Sequence, residues 1–161
     1  MREYDHKKIE PQKGITVIEL LVVLAVLGII MAVALPQFAK IKENQVLKNG
    51  VGDILSSLNK ARSQTLSSLN SSEYGAHFQS DKVVIFKGRV FSSGDANNES
   101  ISVTTPASIT NVTLGGVSGT FGDMYFNRLS GSPSATGAVT ISTPNYSKII
   151  SISATGMASV N

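Results

Sequence analysis

A single carboxylate, that of Glu19, lies in an otherwise uncharged run of 21 residues from Ile15 to Leu35. A carboxylate in a membrane is costly and needs a partner there, so Glu19 is a candidate functional residue. The alternative is that Glu19, only four residues into the run, reaches lipid headgroups or water. Gly14 lies directly before the run, at a point where a protease can reach extended backbone.

The apolar run is long enough to cross a membrane. As a helix, 21 residues measure roughly 32 Å, which matches the hydrocarbon thickness of a bilayer. Lys13 just before the run favours a cytoplasmic N-terminus and places the C-terminal bulk of the chain outside. We therefore expect a single-pass membrane anchor followed by an exported part.

The residues from Lys13 to Val23, KGITVIELLVV, followed by Pro36, resemble the class III signal of type IV prepilins and type II secretion pseudopilins. The resemblance implies that a membrane aspartic peptidase cuts between Gly14 and Ile15 and that the new N-terminus on Ile15 is methylated. Ile15 departs from the Phe that is usual at that position. Pro36 lacks an N–H, which predicts a loosened helix near residues 32–36.

Cleavage after Gly14 would give Glu19 a partner. It creates an ammonium group on Ile15, and Glu19 of a neighbouring, axially staggered helix could neutralise it. The helix would then be an anchor before assembly and a filament core afterwards. Two other interpretations stay open: a secretory signal peptide released after Ala34, at an A-x-A site, and a plain single-pass anchor.

The resemblance also implies the partners and location of the protein. The partners are other pilin or pseudopilin subunits, the prepilin peptidase/methyltransferase, an inner-membrane assembly platform and membrane lipid. The location is the bacterial inner membrane, with the head periplasmic or extracellular, and then a pilus or pseudopilus. On this interpretation the protein is a structural subunit, with no enzymatic activity and no cofactor.

Beyond the apolar run, periodicity predicts an α+β organisation. Apolar residues three or four apart predict an amphipathic helix over 37–68, with a bend at Gly50 and Gly52. Short alternating runs bounded by turn residues then predict strands. The expected segments are a leader (1–14), a transmembrane helix (15–36), a stem helix (37–69) and a β-rich head (70–161). The expected strands are 74–78, 82–86, 89–91, 101–104, 109–114, 119–126, 138–142 and 148–153.

Four short motifs beyond residue 60 narrow the resemblance to GspH/FimT-type minor pseudopilins. They are ARSQTL (61–66), YGAHF (74–78), FKG (86–88) and ISISATGM (150–157). This resemblance implies two packed β-sheets on a long N-terminal helix. The chain has no Cys, which excludes a disulfide-closed loop and any thiolate chemistry.

Other candidates for chemistry are weaker. His77 is expected to be a hydrogen-bonded strand residue, and matching it with Asp81 or Asp123 and one of many Ser residues into a triad carries no information. Asp95, Asn97 and Glu99 alternate in a polar loop, a spacing that Ca²⁺ accepts, although the full calcium-loop pattern is absent. The segment Gly115–Gly119 is Gly-rich but lacks the Lys of a phosphate loop, which predicts a turn.

Binding of DNA during natural transformation is the main functional alternative, because some FimT-like proteins are implicated in it. Such a role needs cations on the head that neutralise phosphates. The head supplies few candidates, and they are scattered along the sequence: Lys82, Lys87, Arg89, Arg128 and Lys148.

Overall fold

The computed structural model describes residues 14–161, so the predicted leader, with Lys13, lies outside the described residues except for Gly14. The described chain contains one long helix, α1 (Val17–Leu66), and a short 3₁₀ turn at Leu69–Ser71. Its strands are β1 (Tyr74–Phe78), β2 (Lys82–Lys87), β3 (Glu99–Ser102), β4 (Ser108–Leu114), β5 (Val117–Gly119), β6 (Gly122–Tyr125), β7 (Gly137–Ser142), β8 (Ser147–Ile152) and β9 (Ala158–Val160).

The chain divides into two compact units, one ending at Phe38 and the other running from Ala39 to Asn161. The described part of the first unit is mostly the apolar beginning of α1, which is long and apolar enough to cross a membrane. Pro36 lies inside α1, and the helix continues on both sides of it. The loosening predicted for residues 32–36 therefore does not appear as a break in the helix.

The strands of the second unit form two antiparallel sheets, which confirms the predicted α+β class. One sheet has four strands in the order β3-β2-β1-β6, and the other has five in the order β5-β4-β7-β8-β9. The hairpin predicted at Gln79–Asp81 joins β1 to β2, which pair from Tyr74 opposite Lys87 to Phe78 opposite Val83.

The second half of α1 supplies one side of the core of this unit. Leu47, Ile54, Leu58 and Ala61 are buried and belong to one cluster with the inward side chains of both sheets. Phe38 and Ile41, two apolar residues of the stretch predicted to be amphipathic, are exposed. The packed stretch of α1 therefore begins further along the helix than the sequence pattern predicts.

Gly50 is a packing position within α1. A Cβ on Gly50 would lie 2.7 Å from Cδ1 of Ile141, on β7, and 3.5 Å from Cγ1 of Val103. The absence of a side chain lets α1 approach both residues closely. Since α1 is continuous through Gly50 and Gly52, the predicted bend is not a break in the helix.

Several predicted strands need correction. Residues 119–126 are not one strand: β5 and β6 belong to different sheets, and the chain turns between them at Thr120 and Phe121. Residues 89–91 form no strand. The strand predicted at 101–104 begins earlier, because Glu99 pairs with Ile85. The predicted turn at Gly115 is present, and β5 begins two residues later.

Arg62 connects α1 to two loops of the head. Its Nε donates to the carbonyl oxygen of Gly131 at 3.1 Å, and its Nη2 donates to that of Thr155 at 3.1 Å. Gly131 and Gly156 have positive φ angles of 65° and 79°, a conformation that glycine adopts without strain. Two of the motifs that resemble minor pseudopilins, at 61–66 and 150–157, therefore meet at the Arg62 guanidinium.

Substitution of Gly156 by Ala is predicted to lower the free energy of unfolding by about 3 kcal/mol, from left-handed strain and overpacking together. The added Cβ would overlap the Gly131 carbonyl oxygen and lie 2.9 Å from Nε of Arg62. Gly94→Ala is the matched control, because no atom lies within 4 Å of its Cβ position. Urea unfolding of both variants measures the difference, and equal stabilities would contradict this role for Gly156.

Candidate functional site

The Gly14–Ile15 peptide lies in exposed, non-helical backbone just ahead of α1. Thr16 ends this segment, and its Oγ1 accepts a hydrogen bond from the backbone N–H of Glu19 at 3.3 Å. This is the geometry of a helix N-cap, which satisfies one of the free N–H groups of the first turn. The cap fixes the helix start, so the predicted cleavage point stays outside the helix.

The carboxylate of Glu19 lies on the first turn of α1 and is exposed. Among the described residues, no hydrogen-bond donor or cation pairs with this carboxylate. A negative charge in the first turn is favourable toward the helix dipole. The sequence T-x-x-E at Thr16–Glu19 has the spacing of a capping box, a signal that our sequence analysis missed.

The large apolar side chains on both sides of Glu19 are exposed throughout the predicted span. Ile15 is 79% exposed, and no residue in the most apolar part of the span is buried in the described chain. Monomeric soluble proteins rarely expose contiguous apolar surface of this extent. This surface therefore requires lipid or other protein chains around it.

The structure gives the three calcium candidates separate partners. The Asp95 carboxylate accepts hydrogen bonds from the backbone N–H and side-chain amide of Asn97, at 2.8 and 2.7 Å. These bonds lower the pKa of Asp95. Glu99 lies on β3, not in the loop as predicted, and both of its carboxylate oxygens accept from Nζ of Lys60 on α1. The three side chains therefore do not form one ligand set.

The five basic candidates for DNA binding are dispersed over the second unit. Lys82 and Lys87 lie at opposite ends of β2, a six-residue strand that spans roughly 16 Å. Lys148 lies on β8, in the other sheet. Nη1 of Arg128 donates to the carbonyl oxygen of Ser71 at 2.9 Å. Arg89 and Arg128 both lie near the Glu73 carboxylate and lower its pKa, so these two cations share one region, whereas Lys148 lies on the other sheet.

Arg89 has a local carboxylate partner, Glu73, which the sequence analysis did not single out. Its Nη2 donates to Oε1 of Glu73 at 2.9 Å, and its guanidinium lies over the Tyr125 ring, 5.6 Å from the centroid. The hydrogen bond from Arg89 lowers the pKa of Glu73, and Glu73 raises the pKa of Arg89. A phosphate that binds Arg89 would therefore compete with the Glu73 carboxylate.

His77 is the hydrogen-bonded strand residue that the sequence predicted. It lies on β1 directly opposite Asp123 on β6, and its Nδ1 contacts the Asp123 carboxylate. The Phe91 ring stacks on the imidazole, with the centroids 3.8 Å apart. Asp81 is elsewhere, in the β1–β2 turn, where its carbonyl accepts from the Val103 N–H. The structure identifies Asp123 as the partner of His77, which the sequence alone could not do.

Residues 11–35 match a family model described as the prokaryotic N-terminal methylation motif. No curated protein and no solved structure gives a significant match to the chain. The matched segment contains Gly14, Ile15 and Glu19. It supports a type IV pilin-like prepilin, a structural subunit that assembles with other pilin subunits and is anchored by its N-terminal apolar helix.

Replacement of Arg89 by Met is predicted to raise the pKa of Glu73 toward its ordinary range, because the donor that lowers it is removed. A lowered carboxylate pKa stabilises the fold above the pKa of the unfolded state, and this contribution is lost as pH falls through the folded pKa. The stability difference between wild type and Arg89→Met should therefore shrink on acidification. Carboxyl ¹³C NMR titration measures the pKa of Glu73 in wild type and in Arg89→Met, with Lys87→Met as the control. An unchanged pKa of Glu73 in Arg89→Met would contradict the role assigned to Arg89.

Proposed function

We propose that the protein is a prepilin-like structural subunit, processed after Gly14, methylated on Ile15 and assembled through α1. The observation that carries the proposal is the first turn of α1. An exposed non-helical peptide precedes it, one carboxylate lies on it, and an apolar helix with no protein cover follows it.

The location of the two competing cleavage points favours Gly14. Proteases bind extended backbone, and Gly14 lies ahead of the capped helix, whereas Ala34 lies within α1. Cleavage after Ala34 would also discard the residues that match the methylation motif. A secreted protein that begins at Leu35 is therefore the weaker alternative.

Assembly follows from the cost of two separate charges. Processing leaves an ammonium on Ile15 and a carboxylate on Glu19 at the edge of the apolar helix, where each is costly to bury alone. In any one chain, the Ile15 ammonium and the Glu19 carboxylate both lie at the beginning of the same helix. When a second helix is displaced along the axis, its carboxylate can meet the ammonium of the first, and the pair replaces two unfavourable charges.

The finer assignment is to a minor subunit of GspH/FimT type, in a type II secretion pseudopilus or a type IV pilus. Its support is the meeting of the 61–66 and 150–157 motifs at Arg62, on a head with two antiparallel sheets. DNA capture is the less favoured alternative, because Arg89 is paired with Glu73, and Lys82 and Lys148 lie on different sheets.

Replacement of Gly14 by Asp is predicted to block processing, because a side chain and a charge enter the peptidase site at the cleaved bond. In a host with the peptidase, the variant should keep the mass of the full chain, while wild type loses its leader. Gly28→Ala is the matched control, since Gly28 has open space around it within the apolar span. Normal processing of Gly14→Asp would contradict the proposed cleavage point.

Replacement of Glu19 by Ala is predicted to leave processing largely intact and to reduce incorporation into filaments at least tenfold. Glu19→Gln should fail equally, because Gln can still serve in a capping box but carries no charge. Asp53→Ala removes a different exposed carboxylate of α1 and should assemble normally. Quantitative immunoblots of sheared filaments measure incorporation.

The Gln variant separates the two roles of Glu19. Normal assembly of Glu19→Gln together with failure of Glu19→Ala would mean that the helix cap matters and the ion pair does not. Normal assembly of both variants would contradict any assembly role for this carboxylate.

A further inference from the structure

A pocket of about 430 Å³ opens beside His77 on β1, whose neighbours Ala76 and Phe78 belong to the core shared with α1. His77 forms part of its wall, together with Gln79 and Ser80 of the β1–β2 turn and Thr120 and Phe121 of the β5–β6 turn. Phe91, which stacks on His77, completes the lining. This volume lies within the range of small-molecule sites, which combine aromatic surface with a few polar groups.

The imidazole of His77 has an unsatisfied nitrogen. His77 is 7% exposed, and its buried Nε2 has no hydrogen-bond partner among the described residues. In a neutral ring with its hydrogen on Nδ1, toward the Asp123 carboxylate, Nε2 accepts a hydrogen bond, and in a charged ring Nε2 donates one. Leaving a buried polar nitrogen unpaired costs free energy, and a hydroxyl group can pair with Nε2 in either state because it both donates and accepts.

The lining of the pocket favours a neutral ligand over an anion. It contains no Lys or Arg, and the His77 ring in its wall contacts the Asp123 carboxylate. A phosphate, a nucleotide or a carboxylate would meet this negative charge without a compensating cation. The other polar groups, on Gln79, Ser80 and Thr120, are neutral and can each donate and accept hydrogen bonds.

Phe121 supplies an aromatic surface at the rim. Its side chain is 69% exposed, although it lies at a turn between strands of two different sheets. It borders this pocket and also an apolar pocket lined by Val112, Leu114 and Val117. An aromatic ring in this position can pack against the apolar C–H face of a ligand whose edge carries hydroxyl groups.

We propose that this pocket, the His77 pocket, binds a neutral saccharide. A pyranose ring has the required chemistry: an apolar face for Phe121, and several hydroxyls that can pair with Nε2 and exchange hydrogen bonds with Gln79, Ser80 and Thr120. Nε2 has almost no accessible surface in the unliganded chain, so side chains of the pocket wall must move for a hydroxyl to reach it. The inference is independent of processing and assembly, because all of its residues lie in the unit from Ala39 to Asn161.

Saturation-transfer difference NMR tests the proposal on the full chain in a zwitterionic detergent, since a glycosidic detergent would compete. The probes are glucose, galactose, mannose, N-acetylglucosamine and their neutral trisaccharides, with sorbitol as an open-chain polyol control. At least one cyclic saccharide should receive saturation at the C–H protons of one ring face, and sorbitol should not. Binding should be in the millimolar range, which is typical of few-contact sites.

Single substitutions test whether the saccharide binds in the His77 pocket. Phe121→Ala should raise the Kd at least tenfold, and Leu129→Ala, which removes another exposed apolar side chain, should leave the Kd unchanged. His77→Phe should abolish binding while circular dichroism shows a folded head. Absence of transfer to every saccharide at 10 mM, equal binding by Phe121→Ala, or binding of blocked dipeptides in place of saccharides would each overturn the proposal.

Discussion

The exposed apolar surface at the beginning of α1 is the constraint on which the rest of the account depends. From Ile15 onward the described span has no protein cover, and water is a poor solvent for a continuous apolar helix. Lipid or neighbouring helices must therefore surround it. A chain with this segment exists either in a membrane or in an assembly. Glu19 distinguishes the two surroundings, because its carboxylate is costly to bury alone and can meet an ammonium group only on a neighbouring helix.

The same helix also serves the fold of the head. Leu47, Ile54 and Leu58 belong to its core, and Oγ1 of Thr65 accepts a hydrogen bond from the Tyr74 N–H at 2.9 Å, which fixes the start of β1. Arg62 holds two loops that lie far apart in sequence. The second half of α1 is therefore as necessary to the head as the first half is to the anchor.

Much of this organisation could be predicted from the sequence, because long periodic signals determine it. The apolar run, the helix beyond it and the hairpin at Gln79–Asp81 follow from local composition and turn chemistry. The break between β5 and β6 could not be predicted, since Thr120 and Phe121, where the chain changes sheets, are not turn-forming residue types. Likewise, the sequence contains no signal that pairs His77 with Asp123, 46 residues away. Nor does it contain a signal that pairs Arg89 with Glu73, 16 residues away.

Mass spectrometry of the mature N-terminus, on protein from membranes of the native host, tests the central claim most directly. The account predicts a chain that begins with N-methylated Ile15. A chain that begins at Leu35 would identify a secreted β-protein and contradict any assembly role for Glu19. An intact Met1, in a host shown to process other prepilins, would reduce the apolar helix to a plain anchor.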